Sequence, residues 1–196
     1  MNQLIVYAHP NPASFSKALC DGIAETYRAQ GHAVVVRDLY DLGFDPVLKG
    51  ADFAAMKAGE LPADITTEQG HVTWADAITV IYPVWWTGLP AILKGWVDRV
   101  FLYGFAYAYG EGGIQPLLKG KKALLVSCHG TPTEYYAGMQ AAMKQTSDAG
   151  IFEFCGFEVV DHLFFGAVPS VDDATRQGYL AQAREAAGRH FGAVTA

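Results

Sequence analysis

Three stretches of this chain collect residues suited to holding a charged, flat ligand. The first reads Ala8-His9-Pro10-Asn11-Pro12-Ala13-Ser14-Phe15-Ser16-Lys17 and runs from an apolar segment straight into a helical pattern. The free N–H groups and positive dipole end at such a helix start attract phosphate, and His9, Ser14 and Ser16 add side-chain donors. The plainer alternative is a proline-stiffened turn with a serine cap, since the stretch is neither GxGxxG nor a P-loop. The second, Tyr82-Pro83-Val84-Trp85-Trp86-Thr87-Gly88-Leu89-Pro90, sets two adjacent tryptophans where a loop is ordinarily polar. Bulky aromatics there suggest a platform for a flat ring whose edge bonds to the backbone; the alternative is that one of them folds back into the core. The third, Ser127-Cys128-His129-Gly130-Thr131-Pro132-Thr133-Glu134-Tyr135-Tyr136, offers glycine, hydroxyls and two tyrosines.

Two competing chemistries carry less weight. Cys128 and His129 tempt a thiol-nucleophile reading, but adjacent residues on an extended segment point to opposite sides and cannot readily act on each other. His9, His129 and His162 lie on three separate segments without a spaced carboxylate or cysteine set, so no metal site is expected.

The elements around these stretches must bring them together. Five runs are apolar at consecutive positions, as strands of a parallel sheet covered on both faces require: Leu4–Ala8, Ala33–Val36, Ala77–Tyr82, Ala123–Ser127 and Val159–Phe165. Leu19, Ile23 and Tyr27 recur every four residues between Ser14 or Ser16 as cap and Gly31 as stop, which predicts a helix. Pro90 suits the first turn of another, in which Ile92, Leu93, Trp96, Val97, Val100 and Phe101 form one stripe and Lys94 pairs with Asp98. A helix is expected over about Tyr135–Phe154, closed by Gly156, and another after Ser170 with Asp173 completing a capping box; the crossover from Leu39 to Trp74 gives no clear pattern. The alternation implies one doubly wound α/β domain over residues 1–196, three layers with helices on both faces of a five-stranded parallel sheet in the order 2-1-3-4-5. Ligands of such sheets sit at the carboxyl ends of the strands, where the three loops lie.

Composition excludes other classes. The 196 residues are 51% hydrophobic and 17% charged, enough for a sizeable core and too apolar for disorder. A formal net charge of -6, with no concentrated run of lysine or arginine, argues against nucleic acid as a partner. Three cysteines without CxxC spacing fit a reduced compartment, and no apolar run is long enough to span a bilayer, so a cytoplasmic protein without membrane insertion is expected. Aromatics make up 13% of the chain and gather in the loop stretches, an excess that calls for a purpose.

The stretch Leu89-Pro90-Ala91-Ile92-Leu93-Lys94-Gly95-Trp96-Val97-Asp98-Arg99-Val100-Phe101, followed by Gly104-Phe105-Ala106-Tyr107, resembles the flavodoxin-like NAD(P)H:quinone oxidoreductases. That family contains the mammalian quinone oxidoreductase, bacterial drug-activity modulators and potassium-efflux ancillary proteins. Ala8-His9-Pro10, Gly120-Lys121-Lys122-Ala123 and Phe154-Cys155-Gly156-Phe157 match it in the same order, so the similarity spans nearly the whole chain. The resemblance implies a flavin whose phosphates lie at His9, Ser14, Phe15, Ser16 and Ala18 and whose ring rests on Pro83, Val84, Trp85, Trp86 and Thr87. Gly130 and Thr131 would complete the ring site, with Tyr136 as the catalytic hydroxyl near the flavin carbonyl. It also implies a homodimer with the active site at the interface, where Tyr107, Tyr109 and Phe154 of one subunit join Trp86 of the other around the substrate.

The implied activity is reduction of quinones or similar flat acceptors by NADH or NADPH through ping-pong hydride transfer. FAD is expected, with FMN the second choice, because the Gly95–Tyr107 stretch is more like the FAD-binding branch. Two departures bear on mechanism. Thr87 replaces the second aromatic wall of the family, and no histidine follows Tyr136 to complete the tyrosine–histidine pair of the mammalian enzyme. The alternative reading is an ancillary regulatory flavoprotein subunit of a glutathione-gated potassium efflux system; a pure electron carrier ranks below it.

Overall fold

The computed structural model describes residues 1–193. The elements run β1 (Asn2–Tyr7), α1 (Phe15–Ala29), β2 (Ala33–Asp38), α2 (Gly50–Ala58), α3 (Ala63–Trp74), β3 (Ala77–Pro83), α4 (Ala91–Val100), β4 (Tyr107–Gly110), β5 (Gly113–Pro116), β6 (Lys122–Cys128), α5 (Ala137–Met143), β7 (Glu158–Phe165) and α6 (Asp173–Phe191). Five strands form one parallel sheet in the order β2-β1-β3-β6-β7, which is the expected 2-1-3-4-5 once the separate β4–β5 hairpin is set aside.

Consecutive apolar residues along each strand serve opposite faces. Leu4 and Val6 of β1 pack with Ile78, Val80, Trp96, Val100 and Phe157 on one side, where α3 and α4 lie. Ile5 and Tyr7 pack with Leu19, Ile23, Tyr27, Ala183 and Phe165 on the other, beneath α1 and α6. The predicted strands and the helices α1 and α4 lie within two residues of their expected limits.

Other expectations need correction. Ser170 does not cap the last helix: Asp172 does, its side chain accepting the Thr175 N–H at 2.8 Å, while the Ser170 hydroxyl donates to Ala167 O. Pro90 is the residue just before α4 rather than part of its first turn. The single helix expected over Tyr135–Phe154 is instead a 3₁₀ turn at Thr133–Tyr135, then α5, then a π-helical segment at Lys144–Glu153. Thr146 and Ser147 hydroxyls bond back to the Ala142 and Met143 carbonyls inside it, a pattern that competes with the regular ladder. The unpatterned crossover contains α2 and α3. Both depend on the buried Arg99 guanidinium, which bonds Asp52 at 3.1 Å, Asp64 at 2.7 Å and the Asp45 carbonyl at 2.8 Å. Gly95 is obligatory here, because a Cβ would meet Pro46 O at 2.1 Å.

Candidate active site

The carboxyl ends of β1, β3, β6 and β7 deliver the three chemistry-bearing loops to one edge of the sheet. After β1, Asn11 N–H donates to His9 Nδ1 at 3.0 Å, so the neutral His9 ring carries its hydrogen on Nε2 and can donate from there. Burial holds the His9 pKa below its ordinary value. Ser14 Oγ caps α1, accepting the Lys17 N–H at 3.1 Å, and lies 3.1 Å from the Tyr7 hydroxyl. Ser16 is buried, and Ala18 contributes only surface, its N–H being bonded to Ser14 O. The N–H groups of Phe15 and Ser16 have no protein acceptor among the described residues.

After β3, Val84 N–H bonds the Cys128 carbonyl at 2.7 Å, and Trp85 and Gly88 then exchange both backbone hydrogen bonds across a two-residue turn. The central residues, Trp86 and Thr87, have φ of 50° and 60°. Such a turn normally uses Asn-Gly, so each non-glycine residue here is strained. Their N–H groups lack a protein acceptor among the described residues, the Trp86 side chain is fully exposed, and Trp85 is half exposed with its ring 6.5 Å from that of His9. Neither tryptophan folds back into the core. A third non-glycine residue with positive φ, Ala167 at 53°, follows β7 on the same edge.

After β6, His129 is tied down by its N–H to the Phe165 carbonyl and by Nδ1 to Thr131 O at 2.7 Å. Its ring stacks on Tyr136 with centroids 4.5 Å apart and planes 26° apart. Burial lowers the His129 pKa, so the stacked ring is neutral near pH 7. The Tyr136 hydroxyl donates to Thr87 Oγ1 at 3.5 Å, joining the second and third loops. Gly130 and Thr131 are exposed, and their N–H groups have no acceptor among the described residues. Gly166 permits this loop to lie against β7, since a Cβ would come within 2.4 Å of Thr133 Oγ1 and 2.9 Å of His129 Cε1. The Cys128 thiol is buried and pushed up to about 12, which removes the thiolate chemistry weighed above.

The loops enclose a cleft of about 230 Å³ lined by His9, Phe15, Ser16, Pro83, Val84, Trp85, Cys128, His129, Gly130, Val168 and Pro169. A groove of about 310 Å³ continues from Phe15 between α1 and α6, past Ala18, Arg176, Gln177 and Leu180. Tyr107 and Phe154 instead line a separate groove of about 480 Å³, and Tyr109 packs beside them, 6.4 Å from the Tyr107 ring. Val168, Pro169 and Tyr103 carry no signal in the sequence, where His129 stands only as a thiol partner or metal ligand. The signal for His129 was its place at the end of a buried strand; its stacking partner lies seven residues on, across a turn whose shape the sequence does not specify.

A family whose members have a flavodoxin-like fold matches residues 1–190. An uncharacterized NAD(P)H oxidoreductase of Haemophilus influenzae is 37% identical over 183 residues, 92% of this chain and 91% of that protein. NAD(P)H dehydrogenase [quinone] 1 of Cavia porcellus is 34% identical over 180 residues, 81% of this chain and 66% of that one. Among solved structures, NAD(P)H:quinone oxidoreductase from Methanothermobacter marburgensis is 31% identical with a TM-score of 0.86, covering 95% of this chain and 97% of its own.

Proposed function

The chain belongs to the flavodoxin-like NAD(P)H:quinone oxidoreductase family and is an oxidoreductase, and from that premise we propose that it reduces quinones or similar flat acceptors by ping-pong hydride transfer through a bound FAD. The observation that carries this reading is the distribution of unbonded backbone donors. Phe15 and Ser16 N–H, at the positive end of α1, suit phosphate, and His9 Nε2–H adds a neutral donor. Trp86, Thr87, Gly130 and Thr131 N–H groups suit the electronegative edge of an isoalloxazine ring resting on Pro83, Val84 and Trp85. A flavin supplies the hydride relay between nicotinamide and acceptor.

The residues of the chain do the rest. The loop donors, fixed by the strained turn, stabilise negative charge that develops at the ring edge without reorganising when it appears. Tyr136, positioned by the His129 face and by Thr87, is the catalytic hydroxyl. The groove along α1 and α6 supports FAD over FMN, because it gives a second nucleotide half a place beside Arg176, whose guanidinium is held by Asp173 and the Val168 carbonyl.

The expected substrate residues Tyr107, Tyr109 and Phe154 share no cleft with the donors of their own chain. A homodimer reconciles the two sets, with the aromatic groove of one protomer facing the Trp86 turn of its partner. The location remains the cytoplasm on this reading, and among the described residues no helix is long and apolar enough to cross a membrane. The regulatory-subunit reading draws no support from the relatives above.

Heat release of the cofactor followed by its mass, together with steady-state kinetics against NADPH and a quinone, tests the proposal. FAD and parallel double-reciprocal lines are expected. FMN would overturn the nucleotide assignment, and intersecting lines would overturn the ping-pong order.

A further inference from the structure

Behind the Trp85–Gly88 turn lies a cavity of about 270 Å³ that shares no lining residue with the cleft at His9 and Gly130. Gly88, Leu89, Met143 and Ile151 make its walls apolar, and Tyr82, Thr146 and Ser147 bring hydroxyl groups to it. Those hydroxyls belong to a buried network. Asp148 accepts at His162 Nδ1 at 2.9 Å, and the other ring nitrogen lies 3.2 Å from the Tyr82 hydroxyl and 3.3 Å from Ser127 Oγ.

His162 joins Asp148 through Nδ1 and the Tyr82 hydroxyl through Nε2. Ser147 Oγ donates towards Met143 O at 2.6 Å or Asp148 Oδ1 at 2.8 Å, and Thr146 Oγ1 donates to Ala142 O at 3.1 Å. Ser147 and Thr146, their hydrogens held by backbone or carboxylate oxygens, therefore present oxygen lone pairs to the cavity. At its rim the Lys94 ammonium gives one hydrogen to Asp98 at 2.6 Å and keeps others free.

We propose that this cavity is a second ligand site, separate from the reaction cleft, that takes a single-ring phenol or hydroquinone. The apolar walls fit the ring, and the volume falls below the range of about 300–1,000 Å³ typical of drug-sized ligands. The ligand hydroxyl donates to the inner lone pairs, and a second oxygen across the ring accepts from Lys94. A hydroquinone is what reduction of a quinone releases, and only this link rests on the function proposed above; binding itself does not.

The chain has four methionines, Met1, Met56, Met139 and Met143. Met143 lines the cavity, whereas Met56 lines the neighbouring aromatic groove, so methyl-¹³C methionine labelling separates the two. Phenol, 1,4-hydroquinone under anaerobic conditions, and anisole, which has no hydroxyl hydrogen, are titrated into the oxidised holoprotein. Saturable shifts of the Met143 methyl by phenol and hydroquinone, with Met56 unmoved and anisole about tenfold weaker, are expected from loss of one buried hydrogen bond. Leu89→Trp fills the cavity and removes the response, and Thr146→Val weakens phenol without changing anisole. No saturable Met143 shift, a shift at Met56 alone, or equal affinity for phenol and anisole overturns the proposal. The visible spectrum of the same samples reports flavin content, so failure of the cofactor reading is seen separately.

Discussion

Between α2, α3 and α4 the buried charges are answered inside the protein, whereas at the carboxyl edge of the sheet donors are left unanswered. Arg99 is met by Asp52, Asp64 and a carbonyl; Glu68 takes the Arg37 guanidinium at 2.6 Å and Trp96 Nε1–H at 2.9 Å. The loop edge holds the three non-glycine residues of positive φ among the described residues, a fully exposed tryptophan and a row of unbonded N–H groups. A buried charge cannot wait for a ligand, because its desolvation is costly at once. An exposed N–H can, because water occupies it until a better acceptor arrives. The clamped region therefore fixes the frame, and the strained edge keeps its donors available to a ligand.

Breaking the clamp has the largest effect. Arg99→Ala strands the buried Asp52 carboxylate, and urea melts are expected to show a loss of about 3–5 kcal/mol. Gly95→Ala drives a methyl into Pro46 and is expected to cost about 1–3 kcal/mol by the same measurement. At the loop edge the sign reverses: Trp86→Gly relieves a left-handed residue that makes no core contact, so stability rises by about 1 kcal/mol while the KM for a flat acceptor increases. A loss of stability in that variant would mean that the turn is clamped like the frame.

His129 sharpens the comparison through pH. Its folded pKa lies below the unfolded value of about 6.5, so the unfolded chain takes up a proton first as pH falls. Its contribution is complete above about pH 6.5 and is lost as pH drops towards the folded pKa. His129→Gln should flatten the stability profile between pH 7 and 5, and an unchanged slope refutes the assignment. Smallest of all, Lys94→Ala removes an exposed pair with Asp98 and should change stability by no more than about 0.5 kcal/mol.

What the sequence disclosed follows from range. The five strands were legible because burial on both faces forces consecutive apolar residues, and α4 because its stripe and its Lys94–Asp98 pair are local. The three loops were placed correctly by their position after strands. The crossover helices were not legible, since α2 is held by Arg99 from 47 residues away rather than by an apolar stripe of its own. The π segment turns on which backbone carbonyls Thr146 and Ser147 choose. His129 against Tyr136 is a contact made by a turn, and residue types alone do not draw turns.

The central claim is that the unanswered donors of the loop edge belong to a redox-active flavin. The visible spectrum of protein reconstituted with FAD and titrated anaerobically with NADPH tests it most directly. A bound flavin band that bleaches with one equivalent of NADPH and returns on adding a quinone is the predicted result. Absence of a flavin band after reconstitution, or a band that neither NADPH nor NADH bleaches, contradicts the account.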